Sequence, residues 1–592
     1  METNDKSTES RAIGWLLGRA RAVVPWIGLS VAAGLSGGLL LVVQAAVLSQ
    51  LVAAVFMDGR RLPEMAIPLA VFLGITGLRA LMAWAREVSG FQAGAVVRES
   101  VRRDLLQHLA DLGPDFTART PAGALASAAV EQVEALQPFF ARYLPQLALA
   151  ALIPGAILAF VFPVSWAAGG LFLLTAPLIP LFMVLVGMGA ETISQRHFQA
   201  LARMSGHFLD LLRGMTTLKL FGRSRSAEGS VRQVARDYRV RTMAVLRIAF
   251  LSSAVLEFFT SMAIALVAVY LGMSYLGYLD FGTYGERLSF AHGFFILLLA
   301  PEFFLPLREL GQHYHARADA AGAAEELMRV LAIERTSFAI APTALPFPAA
   351  PHIRFESVDL SYGSARKRAL SAVTLDIPFG QHTAVVGESG AGKTSLINLL
   401  LGFVAPERGR ILVGGAPLPL IDLTAWRRQL AWIGQHPVVF YGTIADNIRL
   451  GRPEAAPGEI AAAAERAGVL SFIRTLPHGL DTRIGEQGAG LSRGQAQRVA
   501  LARVFLRDAP IVLLDEPLAS LDMDTERQVS KAISDFSRGR TLVMLTHRLD
   551  TIQRVDQVVV MDAGRVAFQG TPAEYRRRRL QECHRPLSGE VP

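Results

Sequence analysis

Two long stretches without any charged side chain constrain the fold of this chain more than any other feature. Residues 23–57 and 143–190 contain no Asp, Glu, Lys or Arg, and about 20 apolar residues are enough to cross a bilayer. Further apolar runs follow at 258–279 and 288–301. We therefore predict an all-α transmembrane domain embedded in the lipid bilayer. Its six helices are expected near residues 24–54, 65–88, 139–161, 165–188, 248–276 and 287–310.

The composition agrees with a membrane protein and argues against other classes. Charged residues make up 18% of the chain and hydrophobic residues 52%, whereas a soluble globular chain averages roughly 25% charged residues. The single cysteine, Cys583, excludes an internal disulfide. The net charge of +9 follows the membrane topology described next, so we predict no nucleic-acid site.

The basic residues predict how the chain crosses the membrane. Cytoplasmic loops of membrane proteins carry an excess of Lys and Arg. In this chain these residues crowd into the N-terminal segment and into two long loops, at 89–138 and 191–247, as Arg11, Arg19, Arg21, Arg98, Arg102, Arg103, Arg213, Lys219, Arg223, Arg225 and Arg232. Six crossings return the chain to its starting side, so we expect both termini in the cytoplasm.

The chain changes character after the sixth predicted span. Four prolines between residues 342 and 351 indicate a linker. Short β-like runs then alternate with helical patterns, which is typical of an α/β domain. We predict a transmembrane domain at 1–335, a linker at 336–351 and an α/β nucleotide-binding domain at 352–592.

The second domain contains a predicted phosphate-binding loop. The apolar run 383–386 precedes a match to G-x-x-x-x-G-K-[ST] and an apolar helix, which is the strand–loop–helix setting that this motif requires. Its backbone N–H groups can surround phosphate oxygens at a helix N-terminus. Lys393 would neutralise phosphate charge, and Thr394 would ligate Mg²⁺. The predicted ATP-binding residues of this loop are Gly387, Glu388, Ser389, Gly390, Ala391, Gly392, Lys393, Thr394 and Ser395.

A second apolar run, 511–514, ends in the acidic pair Asp515 and Glu516. One carboxylate at the end of a buried strand can hold the Mg²⁺ shell, and the next can polarise the attacking water. Alone, such a pair would more often be a solvated strand end, because acidic residues are mostly exposed. With the phosphate-binding loop upstream, we predict that Asp515 is a metal ligand and that Glu516 is catalytic.

Between these motifs, residues 491–498 read LSRGQAQR and resemble the signature of ATP-binding-cassette (ABC) ATPases. Tyr362, Gln435, Asp522 and His547 also stand in the order of that family. The resemblance implies that Tyr362 stacks on adenine and that Asp522 lies at the nucleotide. It implies that Gln435 contacts the metal or water and that His547 donates a hydrogen bond to the γ-phosphate.

The same resemblance implies that two cassettes close head-to-tail on two ATP molecules, so this single-cassette chain is a half-transporter that dimerises. Ser492, Gly494 and Gln495 would contact ATP held by the other subunit. Arg493 occupies a position that is usually Gly in the family. We expect the chain's own phosphate-binding motifs to support hydrolysis, whereas the composite site completed by its signature carries an extra cation.

The domain order resembles exporter-type ABC transporters, in which short coupling helices of the inner loops dock onto the cassettes; our candidates are 115–121 and 214–222. A narrower resemblance, carried by the signature and by residues 314–318, YHARA, is to the CydD-type half of heterodimeric CydDC exporters. These serve the assembly of cytochrome bd oxidase. This resemblance implies a CydC-like partner, the bacterial inner membrane, and thiols (cysteine or glutathione) or haem as cargo.

Charged side chains inside membrane helices usually face a cavity or a partner. Arg79 and Arg86 lie seven residues apart on the second predicted helix, and Arg308 lies on the sixth. We hypothesise that these arginines meet carboxylates of a small anionic cargo, and that Tyr314 or His315 ligates iron if haem is carried. The alternative is interhelical pairing, such as Arg308 with Glu302 or Glu309.

Two other functions remain open from the sequence. The chain could form a homodimeric exporter of lipids, drugs or peptides, since such exporters share all of the ATPase motifs. It could also be an ATP-gated channel or a regulatory subunit, which would keep the fold without pumping. The acidic Glu516 favours a pump, because a channel needs no general base for hydrolysis.

Overall fold

The structure is a computed structural model of the full chain. It describes residues 2–178, 181–182, 211, 214–279, 281–285, 288–333, 351–362, 367–435, 437–485, 490–518, 523–546, 552 and 554–583. The chain divides into two compact units. One comprises Met1–Ala110 and Thr120–Ile333, and the other comprises Asp111–Arg119 and Glu334–Pro592.

All regular secondary structure in the described residues of the first unit is helical. Its α-helices are α1 (Glu2–Ala20), α2 (Val24–Phe56), α3 (Ala66–Arg119, whose last residues belong to the second unit), α4 (Ala122–Ser127), α5 (Val133–Ala135), α6 (Leu144–Val161), α7 (Trp166–Thr175), α8 (Met215–Leu220), α9 (Ser224–Tyr275) and α10 (Phe290–Leu331). Two π-helical turns, Ala128–Gln132 and Phe139–Tyr143, precede α6. Short 3₁₀ turns lie at Arg21–Val23 and Leu62–Met65.

Five helical stretches among the described residues are long and apolar enough to cross a bilayer. They are Ser10–Phe56, Ala66–Pro114, Gly123–Val161, Glu257–Tyr275 and Phe290–Leu331. These correspond to five of the six predicted spans. The remaining one, predicted at 165–188, begins as α7, and most of its second half lies outside the described residues.

Several of these helices continue beyond the predicted ends of the spans. Helix α10 extends to Leu331 through Pro301 and Pro306, whereas hydropathy alone suggests an end near 310. The polar continuation still contains many Ala, Leu and Glu residues, which favour helix. Helix α3 likewise continues into the polar loop until Gly113, whose φ of 78° interrupts it.

Helix α3 packs closely against the chain that leads into α6. A Cβ at Gly90 would lie 2.4 Å from the carbonyl oxygen of Ala141, and one at Gly94 would lie 2.8 Å from Cγ of Gln137. The spacing is G-x-x-x-G, which allows close approach of membrane helices. One turn beyond on the same face, Arg98 donates hydrogen bonds to Glu134 and to Gln137. The two glycines therefore allow α3 to approach closely the segment that leads into α6.

The second unit is an α/β domain. Its strands are β1 (Ile353–Tyr362), β2 (Lys367–Ile377), β3 (His382–Val386), β4 (Arg408–Val413), β5 (Ala416–Pro417), β6 (Leu430–Ile433), β7 (Gly442–Thr443), β8 (Arg483–Ile484), β9 (Ile511–Asp515), β10 (Thr541–Leu545), β11 (Gln557–Asp562) and β12 (Arg565–Gly570). Its helices are α11 (Lys393–Leu400), α12 (Leu423–Arg428), α13 (Ile444–Arg449), α14 (Pro457–Arg466), α15 (Leu470–Ile473), α16 (Arg493–Arg507), α17 (Met523–Ser537) and α18 (Pro572–Cys583).

Two sheets organise this unit. Strands β2-β1-β4-β5 form an antiparallel sheet, and β12-β11-β3-β10-β9-β6 form a six-stranded sheet that is parallel except at β12. All five residues of β9 and of β10 are buried. Strands buried on both faces read as continuous apolar runs, which is why these two strands stand out in the sequence. Their carboxyl ends, together with those of β3 and β6, lie at one edge of the sheet.

Candidate functional site

The phosphate-binding loop lies between β3 and α11, as predicted. Gly387, Gly390 and Gly392 have φ values of 157°, 84° and 99°, which L side chains rarely adopt. A Cβ at Gly387 would lie 2.3 Å from the carbonyl oxygen of Met561, and one at Gly392 would lie 2.7 Å from that of Ala369. Glycine is therefore required at both positions by backbone conformation and by space.

Lys393 begins α11 and folds back over the loop. Its Nζ donates to the carbonyl oxygen of Gly387 at 2.7 Å and to that of Glu388 at 2.9 Å. The ammonium group thus lies over the loop whose amides would surround phosphate. A bound phosphate would compete with these two carbonyl oxygens for the charge, which an anion does effectively because charge-assisted hydrogen bonds are the stronger ones.

The strand order brings the other predicted residues to the same edge of the sheet. Strand β10 lies between β3 and β9, and β6 lies on the far side of β9. Thr394 Oγ1 donates to Asp515 Oδ2 over 3.4 Å, and Gln435 Nε2 donates to Glu516 Oε2 over 3.4 Å. The first of these long contacts connects the phosphate-binding motif with the last residue of β9. The second connects the residue after β9 with Gln435, two positions beyond β6.

The backbone of Glu516 is unusual for a residue with a side chain. Its φ is 49°, a left-handed conformation that non-glycine residues seldom adopt, and its N–H donates to the carbonyl oxygen of Leu545 at 3.1 Å. Such strain is typical of functional sites when neighbouring structure enforces it. Here the hydrogen bond to the last residue of β10 helps to hold the turn.

Thr394 and Asp515 are chemically suited to Mg²⁺. Mg²⁺ prefers hard oxygen ligands and usually keeps several waters and phosphate oxygens. A hydroxyl and a buried carboxylate whose oxygens are 3.4 Å apart could share one such ion beside a nucleotide. The described residues contain no group of three or more His, Cys, Asp or Glu side chains arranged as a metal site.

The signature segment begins α16 with a capping box. The N–H of Gln495 donates to Ser492 Oγ at 3.3 Å, and the N–H of Ser492 donates to Gln495 Oε1 at 2.8 Å. Ser492 and Arg493 are exposed, and Gly494 is half-buried. The predicted contact surface for a second nucleotide is therefore a well-formed helix N-terminus. Tyr362, at the end of β1, packs partly against the core of the antiparallel sheet.

Two predicted nucleotide residues, Asp522 and His547, lie outside the described residues. The described chain before His547 ends at Thr546, whose N–H donates to the carbonyl oxygen of Val385 at 3.2 Å. The roles of Asp522 and His547 stay predictions.

The predicted cargo arginines each contact a polar partner on another membrane helix. Arg79 on α3 donates to Gln44 Oε1 on α2. Arg86 on α3 donates to Gln146 Oε1 on α6 at 2.7 Å, and its Nη2 lies 3.5 Å from Glu309 Oε2 on α10. Interhelical pairing, the alternative to a cargo site, is thus present in this unit.

Arg308 on α10 pairs with Glu257 on α9, with 2.6 Å between Nη1 and Oε2. The partners suggested by the sequence, Glu302 and Glu309, are on the same helix as Arg308, and the structure instead pairs Glu309 with Arg86. Tyr314 accepts a hydrogen bond from Arg317 over 3.2 Å. The backbone of His315 lies in α10, and its side chain lies outside the described part of the chain.

Sequence reasoning missed Gln44 and Gln146. Both lie within the two runs that contain no charged residue, and the mean hydropathy of such a run does not reveal a single uncharged polar side chain. A glutamine in the middle of an otherwise apolar membrane helix is itself a signal, because polar side chains in membrane helices usually bond to a neighbouring helix.

Comparison with known proteins identifies both domains. The profile described as "ABC transporter transmembrane region" matches residues 27–298, and the profile described as "ABC transporter" matches residues 370–519. The fold is also similar to a solved structure, described as a bacterial Atm1-family ABC exporter with ATP bound. The TM-score is 0.81 at 24% identity, over 96% of this chain and 99% of that chain. The predicted fold class and ATPase class are confirmed.

Three curated relatives are more closely similar in sequence. The chain is 42% identical to the glutathione/L-cysteine transport system ATP-binding/permease protein CydD of Escherichia coli (strain K12), over 96% of this chain and 97% of the relative. It is 44% identical to the CydD protein of the same description from Haemophilus influenzae, over 84% and 85%. It is 34% identical to the CydC protein of Bacillus subtilis (strain 168), over 90% and 92%. The chain belongs to the CydD family of ABC transporter ATP-binding/permease proteins.

Proposed function

We propose that this chain is one half of an ATP-driven exporter of the CydDC type that moves the thiols cysteine or glutathione across the bacterial inner membrane for cytochrome bd assembly. The observation that carries this proposal is the 42% identity over 96% of the chain to a relative described as a glutathione/L-cysteine transport protein. The arrangement of the phosphate-binding loop, Asp515 and Glu516 at one sheet edge supports the ATPase half of the proposal.

In the proposed mechanism the phosphates of ATP lie in the loop 387–392, with Lys393 and the N-terminus of α11 neutralising their charge. Glu516 orients and polarises the attacking water, and Gln435, which contacts Glu516, helps to position it. Mg²⁺, when bound to Thr394 and Asp515 with Gln435 nearby, would neutralise charge that develops on the phosphates. Tyr362 would stack on adenine, Asp522 would line the site, and His547 would donate to the γ-phosphate.

We propose a CydC-like half-transporter as the partner of this chain. One cassette supplies one phosphate-binding loop and one signature, whereas the proposed closure uses both on each nucleotide. Ser492, Gly494 and Gln495, at the N-terminus of α16, would contact ATP on the partner. Arg493 would add a positive charge beside that nucleotide.

The proposed topology places both termini and the cassette in the cytoplasm, in agreement with the distribution of arginines. The inner-loop segments near 115–121 and 214–222 would act as coupling helices. The second contains the short helix α8, bounded by Gly214 and by Gly222, whose φ is 64°. We keep the domain limits 1–335, 336–351 and 352–592 as part of the proposal. Of the linker, the structure describes Pro351 alone.

Transport by inverted membrane vesicles would test the function directly. The chain is co-expressed with a CydC-like half-transporter, and ATP-dependent uptake of labelled cysteine and glutathione is measured against a gradient. We expect uptake that is lost in Glu516→Gln, because removal of a general base slows catalysis by about 10²–10⁴-fold. Glu454→Gln, at an exposed position of the same domain, is the matched control and should transport normally.

Four results would contradict the proposal in different ways. Thiol movement only down its gradient would indicate a channel, and full activity of Glu516→Gln would remove Glu516 from the mechanism. Recovery of the chain as an active homodimer would favour a lipid, drug or peptide exporter. ATP-dependent uptake of haem without uptake of either thiol would replace the cargo, in which case Tyr314 and His315 become the first residues to substitute.

A further inference from the structure

We propose that Arg86 and Glu309 form a binding site for the zwitterionic α-amino-acid head of a thiol cargo, with Arg86 binding its carboxylate and Glu309 its ammonium group. This inference rests on the proposed function and narrows its cargo to amino-acid thiols. The three helices that form the site are α3, α6 and α10, all in the first unit.

Gln146 is the fixed element of this site. It is buried, its Nε2 donates to the carbonyl oxygen of Pro306 at 2.8 Å, and its Oε1 accepts from Arg86 at 2.7 Å. Because both ends of the amide are used, its orientation is determined. The guanidinium of Arg86 is thus held from one side by an uncharged partner, and its positive charge is not neutralised by that contact.

The distance between Arg86 and Glu309 distinguishes this pair from the Arg308–Glu257 pair. Charge-assisted N–H···O contacts are typically about 2.7–2.9 Å. The Arg308–Glu257 pair is a closed contact at 2.6 Å, whereas Arg86 and Glu309 are 3.5 Å apart. Both side chains of the second pair keep about a third of their surface exposed. Arg86 and Glu309 therefore face each other without closing, and each can accept a second partner.

The spacing of the two charges suits an α-amino acid. In such a molecule the ammonium nitrogen and the carboxylate carbon are attached to one carbon atom and lie about 2.5 Å apart. Two protein charges of opposite sign at 3.5 Å can each meet the complementary charge of that head. A charge inside a membrane helix is costly unless it is paired, so a cargo that satisfies both sides is favoured over one that satisfies only Arg86.

The same arrangement disfavours a purely anionic cargo. A carboxylate bound to Arg86 would lie close to Glu309, and like charges at this distance repel. Other charged groups lie near the pair: Arg142 and Glu87 are likewise 3.5 Å apart, His313 interacts electrostatically with Arg86 and Glu309, and Glu302 interacts with Glu309. Haem, whose propionates carry negative charge without an ammonium group, fits less well than cysteine or glutathione.

Cargo-stimulated ATPase of the purified heterodimer in nanodiscs tests the inference. The probes are L-cysteine, cysteamine (no carboxylate), 3-mercaptopropionate (no ammonium) and haem, and each response is expressed relative to the same variant's rate without cargo. For the wild-type protein, the half-stimulating concentration of cysteine should be at least about tenfold lower than that of either half-head analogue, which corresponds to losing one charge contact.

Variants of the two residues should separate the two charges. Glu309→Gln should raise the half-stimulating concentration of cysteine about tenfold and leave that of 3-mercaptopropionate unchanged or lower. Arg86→Gln should weaken the response to 3-mercaptopropionate and spare cysteamine. Glu99→Gln is the matched control, since Glu99 forms an exposed pair with Arg103 at 2.7 Å on the same helix, and its responses should equal those of the wild type.

The possible failures are distinguishable. If no thiol stimulates the wild type, the proposed function itself is wrong. If thiols stimulate but cysteamine and 3-mercaptopropionate match cysteine, or if Glu309→Gln shifts cysteine and 3-mercaptopropionate equally, the pair is only an interhelical brace. Should Glu309→Gln fail to fold, Glu309→Asp keeps the carboxylate and should retain the preference for cysteine; loss of that preference would overturn the inference.

Discussion

Arg503 donates hydrogen bonds to both the backbone and the side chain of Asn447. Its Nε donates to the backbone carbonyl oxygen of Asn447 at 2.7 Å, and its Nη2 donates to the side-chain Oδ1 at 2.8 Å, while Nη1 donates to the carbonyl oxygen of Val438 at 2.7 Å. Arg503 lies on α16, which begins at the signature. Val438 and Asn447 flank the segment that follows Gln435. These hydrogen bonds therefore hold α16, which begins at the signature, against the segment that follows Gln435.

We predict that Arg503→Lys destabilises the protein although the charge is retained. Burial lowers the pKa of the Arg503 guanidinium to about 10, so the group is already desolvated and depends on its three acceptors. A lysine ammonium is a point charge that cannot reproduce this planar fork. We expect the free energy of unfolding to fall by about 2–4 kcal/mol, because acceptors are left unpaired, measured by chemical denaturation of the full-length protein in detergent.

Arg538→Lys is the control for that substitution. Arg538 is largely exposed and contacts only Asp535 at 2.8 Å among the contacts recorded for the described residues, and exposed pairs contribute about 0–1 kcal/mol. Equal stability of the two variants would show that the fork around Asn447 is not needed. A loss of stability in Arg503→Lys without any change in ATPase rate would limit its role to folding.

A second prediction concerns the glycine contacts of α3. Gly90→Ala should destabilise the transmembrane unit, because its Cβ would lie 2.4 Å from the carbonyl oxygen of Ala141 and the helices would have to separate. Overpacking of this kind costs typically about 1–3 kcal/mol. The melting temperature in nanodiscs should fall relative to wild type.

Gly77→Ala provides the comparison on the same helix. Nothing lies within 4 Å of a Cβ at Gly77 among the described residues, and alanine favours helix over glycine by about 1 kcal/mol. This variant should melt at the wild-type temperature or above it. If both alanine variants melt alike, the close approach at Gly90 does not limit the packing of α3.

Most residues of the proposed nucleotide site could be selected from the sequence, because the motifs that contain them are local. The loop 387–394, the pair Asp515–Glu516 and the signature each occupy a few consecutive residues whose chemistry is legible alone. The meeting of the phosphate-binding loop and the acidic pair at one edge also follows, since the carboxyl ends of parallel strands lie together in such sheets. The order of β3, β10, β9 and β6 does not follow, because it depends on the packing of helices over the whole sheet.

The membrane residues could be found from the sequence, whereas their partners could not. Arg308 pairs with Glu257, 51 positions away, and Arg86 with Gln146 and Glu309. Which side chains meet depends on the rotation and crossing of four helices, and the hydropathy of each helix carries no information about this. The Arg503–Asn447 fork was missed for the same reason: the two residues lie on different elements, and neither belongs to a motif used for the assignment.

A third prediction concerns acid stability of the cassette. Asp446 forms a capping box at α13, accepting from the N–H of Thr443, while the N–H of Asp446 donates to Thr443 Oγ1. Hydrogen bonds from Thr443 lower the pKa of the Asp446 carboxyl below its ordinary value of 3.8. A carboxyl whose pKa is lower in the folded state stabilises the fold above its unfolded pKa, and this contribution is lost as the pH falls below about 4.

Asp446→Asn should therefore reduce the stability of the cassette at neutral pH. It should also make the loss of stability between about pH 5 and pH 3 less steep, as measured by thermal melting at each pH. Because Asp446 is largely exposed, the effect should be small but directional. Asp524→Asn, at an almost fully exposed carboxyl, should leave the pH profile unchanged. An unaltered slope in Asp446→Asn would mean that the cap forms equally well with either side chain.

The last prediction concerns Lys393, whose ammonium group donates to the carbonyl oxygens of Gly387 and Glu388. When ATP binds, the ammonium group would exchange its hydrogen bonds to the two carbonyl oxygens for contacts with phosphate. The contribution of Lys393 to the free energy of ATP binding is therefore the difference between a contact with a charged phosphate and two contacts with neutral acceptors. Hydrogen bonds to charged groups contribute about 1.5–3 kcal/mol. Lys393→Met should therefore weaken ATP binding by about 10–100-fold, measured with a fluorescent ATP analogue under conditions without hydrolysis.

Lys531→Met, at an exposed lysine of the same domain, should bind the analogue as the wild type does. If the two variants bind it equally, the phosphate is held by the backbone amides and the N-terminus of α11 alone.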